Sequence, residues 1–352
     1  MGVLFVKKIK VCIVGCGSIG TWLGTHLGGL GDVELSCLVR GTSVEHIKTN
    51  GLQLDSRPAQ GQPLERSSED SRLCVFPKFV SDDAHALGPQ DWIILSVKAT
   101  SLIELIPQLI PMVGPHTSLW TAMNGLPWWF MKGLDGPLQN HIFKSIDPQS
   151  LLANSIPLEH WVGGVVHSSC SLIDKGHALH HFGNGLLIGE PTTGHKDQPS
   201  PRVLQLTQLL QRAGFDAKAS PHIQKDIWYK LWGNMTMNPI SALTGATTDK
   251  ILGDPLLNAF LSGVMLEARE IGARIGIPIS QTPEDRHLVT AKLGAFKTSM
   301  LQDVEQRRAV ELDVLLTAVL ELASWTEVPT PLTNALLGLA RVQAQTLGLY
   351  PL

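Results

Sequence analysis

Residues 9–20 read IKVCIVGCGSIG, a short, largely apolar, β-branched run, Ile9 to Val14, followed at once by three glycines in the spacing G-x-G-x-x-G. Thr21 to Leu30 then has helical character, and Val33 to Val39 reads as a second strand ending at Arg40. Strand, glycine turn, helix and strand follow within about 30 residues, the setting in which this spacing signifies dinucleotide binding. Each glycine has its own task. Gly15 permits a tight turn, Gly17 lets the backbone approach a pyrophosphate, and Gly20 allows close packing of the helix. The intervening Cys16, Ser18 and Ile19 complete the turn, where helix amides bind the anion. An ordinary turn is the bland alternative. Strands of this kind commonly end in an acid for NAD ribose hydroxyls. Here Arg40 is followed by Gly41, Thr42 and Ser43, a charged fork with hydroxyls that suits a 2′-phosphate. NADPH/NADP+ is therefore expected over the NAD pair, the alternative being a plain surface arginine.

Two further strands are expected, Trp92 to Val97 leading to Lys98 and Ser118 to Met123 leading to Asn124 and Gly125. Ligands of open α/β sheets sit beyond the carboxyl ends of strands, so Lys98 and Asn124 either face the cofactor or serve as strand-end caps. Gly163 to Gly189 reads as a hairpin turning at Asp174, Lys175 and Gly176, and residues 194–201, GHKDQPSP, have linker composition. Long helical periodicities dominate after that. The expected organisation is an α/β Rossmann-type domain over residues 1–195 and an all-α domain over residues 202–352, the latter suited to substrate binding and self-association.

Ile227 to Leu243 reads IWYKLWGNMTMNPISAL, with Lys230 its sole charged side chain. As a helix it aligns Lys230, Asn234 and Asn238 within about 80° and roughly 12 Å. Trp228, Leu231, Trp232 and Met235 form a separate hydrophobic ridge. A helix apolar nearly all round is buried, which makes Lys230 a desolvated cation of lowered pKa and a usable proton donor; a solvated lysine is the bland alternative. Pro239 is expected to end or kink the helix at Asn238. Further on, Ser299 and Gln302 match a capping box, and a helix start there offers amides to a carboxylate. Glu311 would lie about 18 Å beyond Ser299 along a straight helix. Both could touch one compact substrate only if the helix is broken or starts later; otherwise one meets the substrate and the other the cofactor or Lys230.

At 352 residues the chain suits two domains, and a net charge of −3 gives no basic footprint for nucleic acid. Glu305, Arg307 and Arg308 read as a solvated helix face. The five cysteines are scattered without a CxxC pair and read as small buried hydrophobes in a reducing compartment. His177, His180 and His181 have no acidic or thiol partner at ligand spacing, so no metal is assigned. The lysines and apolar run at the start give way to the glycine turn where a cleavage site should be, which argues against a signal peptide. Leu105 to Met131 contains no Asp, Glu, Lys or Arg before Lys132, but Pro107, Pro111, Pro115 and Pro127 make a membrane span improbable. A soluble, cytoplasmic protein is expected.

Taken together, GCGSIG, SVKAT, MNG, WYKLWGNMTMNPISAL and TSMLQDVEQRRAVELD resemble the ketopantoate reductase family over nearly the whole chain. The last two blocks are the specific ones. The resemblance implies a Rossmann-type domain followed by a helical domain like the C-terminal domain of 6-phosphogluconate dehydrogenase. It also implies NADPH-dependent reduction of 2-dehydropantoate in pantothenate and coenzyme A synthesis. In that light Lys230 looks like the lysine that protonates the ketone oxygen, while Asn234, Asn238 and Ser299 match positions holding the substrate. Lys98, Asn124 and Glu311 match positions associated with the cofactor, and Arg40 the one that accommodates the 2′-phosphate. Two departures bear on the substrate. A further asparagine common in the family falls at Thr247 or Thr248. Trp128 and Trp129 stand where many relatives have small residues, either narrowing the pocket or packing in a core. Another 2-oxo acid or ketone is therefore a competing substrate, and a non-catalytic NADP(H) sensor a third reading, one with no use for Lys230, Asn234, Asn238 and Ser299 together. The apolar C-terminal helices suit self-association, a homodimer in the simplest case.

Overall fold

A computed structural model describes residues 7–56, 72–192 and 198–351, in two compact units. The first comprises residues 1–123 and 151–223, the second residues 124–150 and 224–352.

The first unit is built on a ten-stranded sheet of β1 (Ile9–Val14), β2 (Val33–Leu38), β3 (Leu52–Ser56), β4 (Leu73–Val75), β5 (Phe79–Ser81), β6 (Trp92–Leu95), β7 (Ser118–Thr121), β8 (Trp161–Asp174), β9 (His177–Gly189) and β10 (Asp216–Ala219). The order is β4-β3-β9-β8-β7-β6-β1-β2-β5, with β10 pairing β9. β1 pairs in parallel with β2 on one side and β6 on the other, aligning Val14 with Leu38 and with Leu95. The chain order therefore reverses at β1, and the carboxyl ends of β1, β2, β6 and β7 share one edge. Ligands of doubly wound sheets bind at such a switch point.

Sheet and helix meet through α1 (Ser18–Gly28), whose Trp22, Leu23 and Leu27 are buried with Val11, Ile13 and Leu35 in one core. Trp22 lies edge-on to Phe215 at 4.8 Å and stacks on His180 at 5.6 Å. α2 (Ser43–Asn50), α3 (Leu102–Leu109), the short α4 (Leu151–Ser155) and α5 (Pro201–Arg212) complete this unit. The expected hairpin is present as β8 and β9, antiparallel, with Gly176 supplying the positive φ of +69° at its turn.

Residues 202–223 group with the sheet, so the division differs from the expected 1–195 and 202–352. The reason is β10: its sequence DAKA has no β-rich character, yet it pairs in parallel with Gly185–Ile188 of β9 and draws α5 with it. Residues 194–197 of the expected linker lie outside the described residues.

The second unit is helical: α6 (Ile223–Thr244, its first residue still grouped with the sheet), α7 (Thr248–Gly253), α8 (Pro255–Arg274), α9 (Pro283–Ala291), α10 (Ser299–Glu305), α11 (Ala318–Thr326) and α12 (Pro331–Thr346). As the sequence requires, α6 is buried nearly all round, with Trp228, Leu231, Trp232 and Met235 each at most 2% exposed. The Trp232 indole donates to the Met265 carbonyl at 2.7 Å, and Gly272 leaves room for Trp228, since a Cβ there would stand 2.3 Å from its indole nitrogen. Trp128 and Trp129 are buried as well, in the core.

Pro239 does not end α6, which continues to Thr244. A proline here removes the hydrogen bond that residue 239 would donate to Met235 and costs about 3 kcal/mol. Met237, Ile240 and Ala242 around it are buried, and their burial outweighs that loss. Cys74 is exposed, against the expectation of five buried thiols; Cys12, Cys16 and Cys37 are buried and Cys170 partly so. No helix among the described residues is long and apolar enough to cross a membrane.

Candidate active site

In the first unit the glycine turn has the form that a dinucleotide requires. Gly15 has φ +85°, and a Cβ there would meet Val97 Cγ1 at 2.5 Å. At Gly20 a Cβ would stand 2.0 Å from the Gly15 carbonyl oxygen, whereas at Gly17 nothing lies within 4 Å. Two glycines are thus demanded by the fold, and the third opens the backbone outward. The α1 N-terminus has no side-chain cap, so its first amides are not taken by a capping side chain. Ser96 ties β6 to this turn by donating to the Gly15 carbonyl at 2.7 Å, which brings the Ser96-Val97-Lys98 segment alongside it. A pyrophosphate fits these residues.

Arg40 lies just past β2 at the same edge, exposed, with Glu104 at 3.8 Å. A pair so open to water holds its arginine weakly, leaving the guanidinium available. Gly41 turns the chain with φ +58°, and Lys175 donates to the Thr42 hydroxyl at 2.6 Å, adding a second cation beside this loop.

The remaining expected residues fall in the second unit. Lys230 Nζ donates to Asn124 Oδ1 at 2.7 Å. Asn124, expected at the cofactor, thus holds the lysine. Its position is fixed by its neighbours: Gly125 has φ +81° and sits so close to Val314 that a Cβ would approach it to 2.4 Å, and Leu126 N–H donates to the Val314 carbonyl at 3.0 Å. Val314 lies in a π-helical stretch, Asp313–Thr317, that starts two residues after Glu311. Such wide turns frequently mark functional positions.

Glu311 is not on a long helix from Ser299. The helix α10 stops at Glu305, Arg307 takes φ +56°, and a helical turn resumes at Leu312. The straight-helix separation therefore does not apply, and the Glu311 carboxylate acts on Lys230. Protein packed round the ammonium pushes the Lys230 pKa down to about 8; Glu311 works against that shift, while the Arg286 cation adds to it. The side chain as a whole is half-buried, so the lysine keeps an open edge rather than being sealed in the core.

Asn234 and Asn238 extend the stripe from Lys230. Asn238 is only 7% exposed, yet neither side-chain amide bonds another described residue. The polar atoms of both amides are not shut off from solvent, so they remain open to a ligand. Ser299 is exposed at the first position of α10; the cap is Thr298, which accepts from Leu301 N–H, so the helix starts one residue earlier than expected and the capping box of Ser299 and Gln302 does not form. The Ser299 hydroxyl bonds none of the other candidates. Thr248 is occupied structurally, donating to the Gly294 carbonyl at 2.6 Å and accepting from Phe296 N–H at 3.3 Å.

One cation near this group was passed over in the sequence. Arg286, in α9, lies over the Tyr229 ring at 5.5 Å. In PEDRHL it reads as a solvated charge; the clue was Gly233, a lone small residue in the bulky middle of α6. The three histidines serve the sheet: His177 pairs with Asp55 at 2.8 Å, His180 bonds the Gly183 carbonyl, and His181 bonds Ser171.

Comparison with known proteins extends this picture. The profile of the ketopantoate reductase PanE/ApbA family matches residues 11–192, and that of its C-terminal domain residues 222–344. The 2-dehydropantoate 2-reductase of Mesorhizobium japonicum is 36% identical, covering 97% of this chain and 100% of its own. The solved structure of a Ralstonia solanacearum protein assigned to the ketopantoate reductases is 44% identical with a TM-score of 0.87, covering 97% of this chain and 99% of its own. A D-mandelate dehydrogenase solved with NADH and anilino(oxo)acetate has a TM-score of 0.78 over 97% of this chain and 100% of its own, but at 18% identity that is a likeness of fold. With both domain profiles matched in order along one chain, this protein belongs to the ketopantoate reductase family, oxidoreductases acting on CH–OH groups.

Proposed function

We propose that the protein reduces 2-dehydropantoate to pantoate with NADPH, a step of pantothenate synthesis in the cytoplasm, Lys230 serving as general acid. The observation that carries this reading is the Lys230 ammonium held at 2.7 Å by Asn124, under the influence of Glu311, on a helix whose Asn234 and Asn238 amides bond no other described residue.

The bound nicotinamide would supply hydride to the carbonyl carbon. Everything else falls to the chain. The Asn124 carboxamide oxygen accepts one ammonium hydrogen and so aims the others. Lys230 stabilises the charge developing on the ketone oxygen and delivers its proton there, for which a pKa lowered to about 8 suits near-neutral conditions. Glu311 keeps the lysine charged enough to act. Asn234 and Asn238 offer amides to the hydroxyl and carboxylate groups of the substrate, with Ser299 at the start of α10 as a further hydroxyl. Gly15, Gly17 and Gly20 with the α1 amides take the pyrophosphate, Lys98 lies alongside, and Arg40 takes the 2′-phosphate.

A second substrate reading, another 2-oxo acid, is favoured by one feature. Thr247 and Thr248, one of which falls at the register of a family asparagine, spend their hydroxyls within the protein, Thr247 on Asp249 and Thr248 on backbone groups. Following NADPH absorbance with 2-dehydropantoate and a panel of 2-oxo acids decides between them. The expected result is the highest kcat/KM with 2-dehydropantoate and a clear preference for NADPH over NADH that Arg40→Ala removes. Turnover confined to other oxo acids would sink the pantoate assignment, and tight NADPH binding without any turnover would leave the sensor reading.

A further inference from the structure

The middle of α6 carries bulky residues except at Gly233, which follows Tyr229 by four positions and so lies on the same face. That gap is filled by the Arg286 guanidinium. A Cβ at position 233 would stand 2.5 Å from its Nη2 and 2.8 Å from both Cζ and Nε. The group takes the space a side chain at position 233 would need, and its Cζ lies over the Tyr229 ring at 5.5 Å.

Arg286 Nε is shut off from solvent and has no hydrogen-bond acceptor. No carboxylate lies within ion-pairing distance of the side chain among the described residues. On its own helix, Asp285 is spent capping Thr282, Glu284 is exposed, and His287 carries no negative charge. The side chain is half-buried as a whole, and its terminal nitrogens, unlike Nε, are not shut off from solvent. A cation on an aromatic face recovers part of its lost hydration but leaves its N–H donors unmatched. Guanidinium groups taken out of water are ordinarily paired with a carboxylate or phosphate.

Lys230, three residues from Gly233, stands about 4.5 Å along the helix and roughly 60° round it. The two cations act on one another, and the Glu311 carboxylate acts on Lys230. Arg286 therefore stands beside a second cation and close to amides that bond no other described residue.

We propose that Arg286 is a specificity-determining residue that binds a carboxylate of the substrate against the gap at Gly233. The open edge of the guanidinium receives the anion, while Tyr229 and the bare backbone hold its plane. This rests on α6 being the substrate helix, and it gives the glycine in the middle of that helix a role.

The test compares wild type, Arg286→Met and Arg286→Lys with a 2-oxo acid and with the uncharged amide of the same acid, NADPH affinity being measured alongside by fluorescence. For Arg286→Met, KM for the acid should rise on the order of ten- to a hundredfold, while kcat/KM for the amide and the NADPH affinity stay within about twofold. Lysine should restore part of the loss. An equal loss on acid and amide, or no change in KM, would overturn the proposal, and thermal midpoints identify any variant that fails for want of folding, in which case Arg286→Lys carries the comparison. Because pantoate binding can be followed calorimetrically without turnover, the two readings separate. Pantoate binding that depends on Arg286 in a protein without reductase activity would sink the reductase reading and keep this one. Pantoate binding indifferent to Arg286, or no carboxylate binding by wild type, would end this one whatever the turnover.

Discussion

As the proposed proton donor, Lys230 has two opposed requirements: charge enough to stabilise an alkoxide, and readiness enough to give up its proton. Burial supplies the second and Glu311 part of the first, giving a pKa of about 8. A general acid works in its protonated form, so kcat/KM for reduction should hold steady below that value and fall as pH rises through it, about tenfold per unit. Glu311→Gln removes the charge that favours the ammonium and should move this limb to lower pH; a limb that stays put in rate profiles of the two proteins would mean that another group sets it. Asn238→Ala should raise the substrate KM roughly tenfold and leave NADPH affinity unchanged. The stripe of Lys230, Asn234 and Asn238 was legible because helical spacing alone aligns it. The pairing of Lys230 with Asn124 was not, since it joins residues 106 apart in sequence. Arg286 was hidden for a related reason: a charge flanked by acids looks solvated until the helix opposite is known to carry a gap.

At the scale of elements, local rules succeeded where the chain itself imposes the geometry. The glycine turn between β1 and α1 follows from three spaced residues, and the close approach at Gly20 makes a sharp prediction. Gly20→Ala should destabilise the protein by about 1–3 kcal/mol in denaturant unfolding and weaken NADPH binding; an unchanged midpoint would show the turn to be more yielding than its 2.0 Å clearance implies. Local rules failed where packing overrules them. Pro239 disfavours helix, yet buried flanks carry α6 through it. Residues 299–311 have helical character throughout, yet the chain breaks after Glu305, Arg307 adopts a left-handed conformation, and Glu311 is freed to act on Lys230.

For the whole molecule, the order of an α/β part and a helical part was readable from where β-rich runs give way to helical periodicity. The division itself was not. β10 is a strand because β9 offers it an edge, and nothing in Asp216–Ala219 announces that. The surface of the helical unit bears on assembly. Leu339 and Val342, one turn apart on α12, are 62% and 61% exposed, an apolar patch that suits contact with a second copy. A homodimer is expected in sedimentation at micromolar concentration, and Leu339→Asp with Val342→Asp should shift it to monomer; a monomeric wild type would contradict this.

The most direct test of Lys230 as proton donor is the rate of NADPH oxidation with saturating 2-oxo acid by wild type and by Lys230→Ala, with cofactor affinity measured on both. A loss of about 10²–10⁴ in kcat with NADPH affinity intact is the expected result. A variant that retains its rate would contradict it.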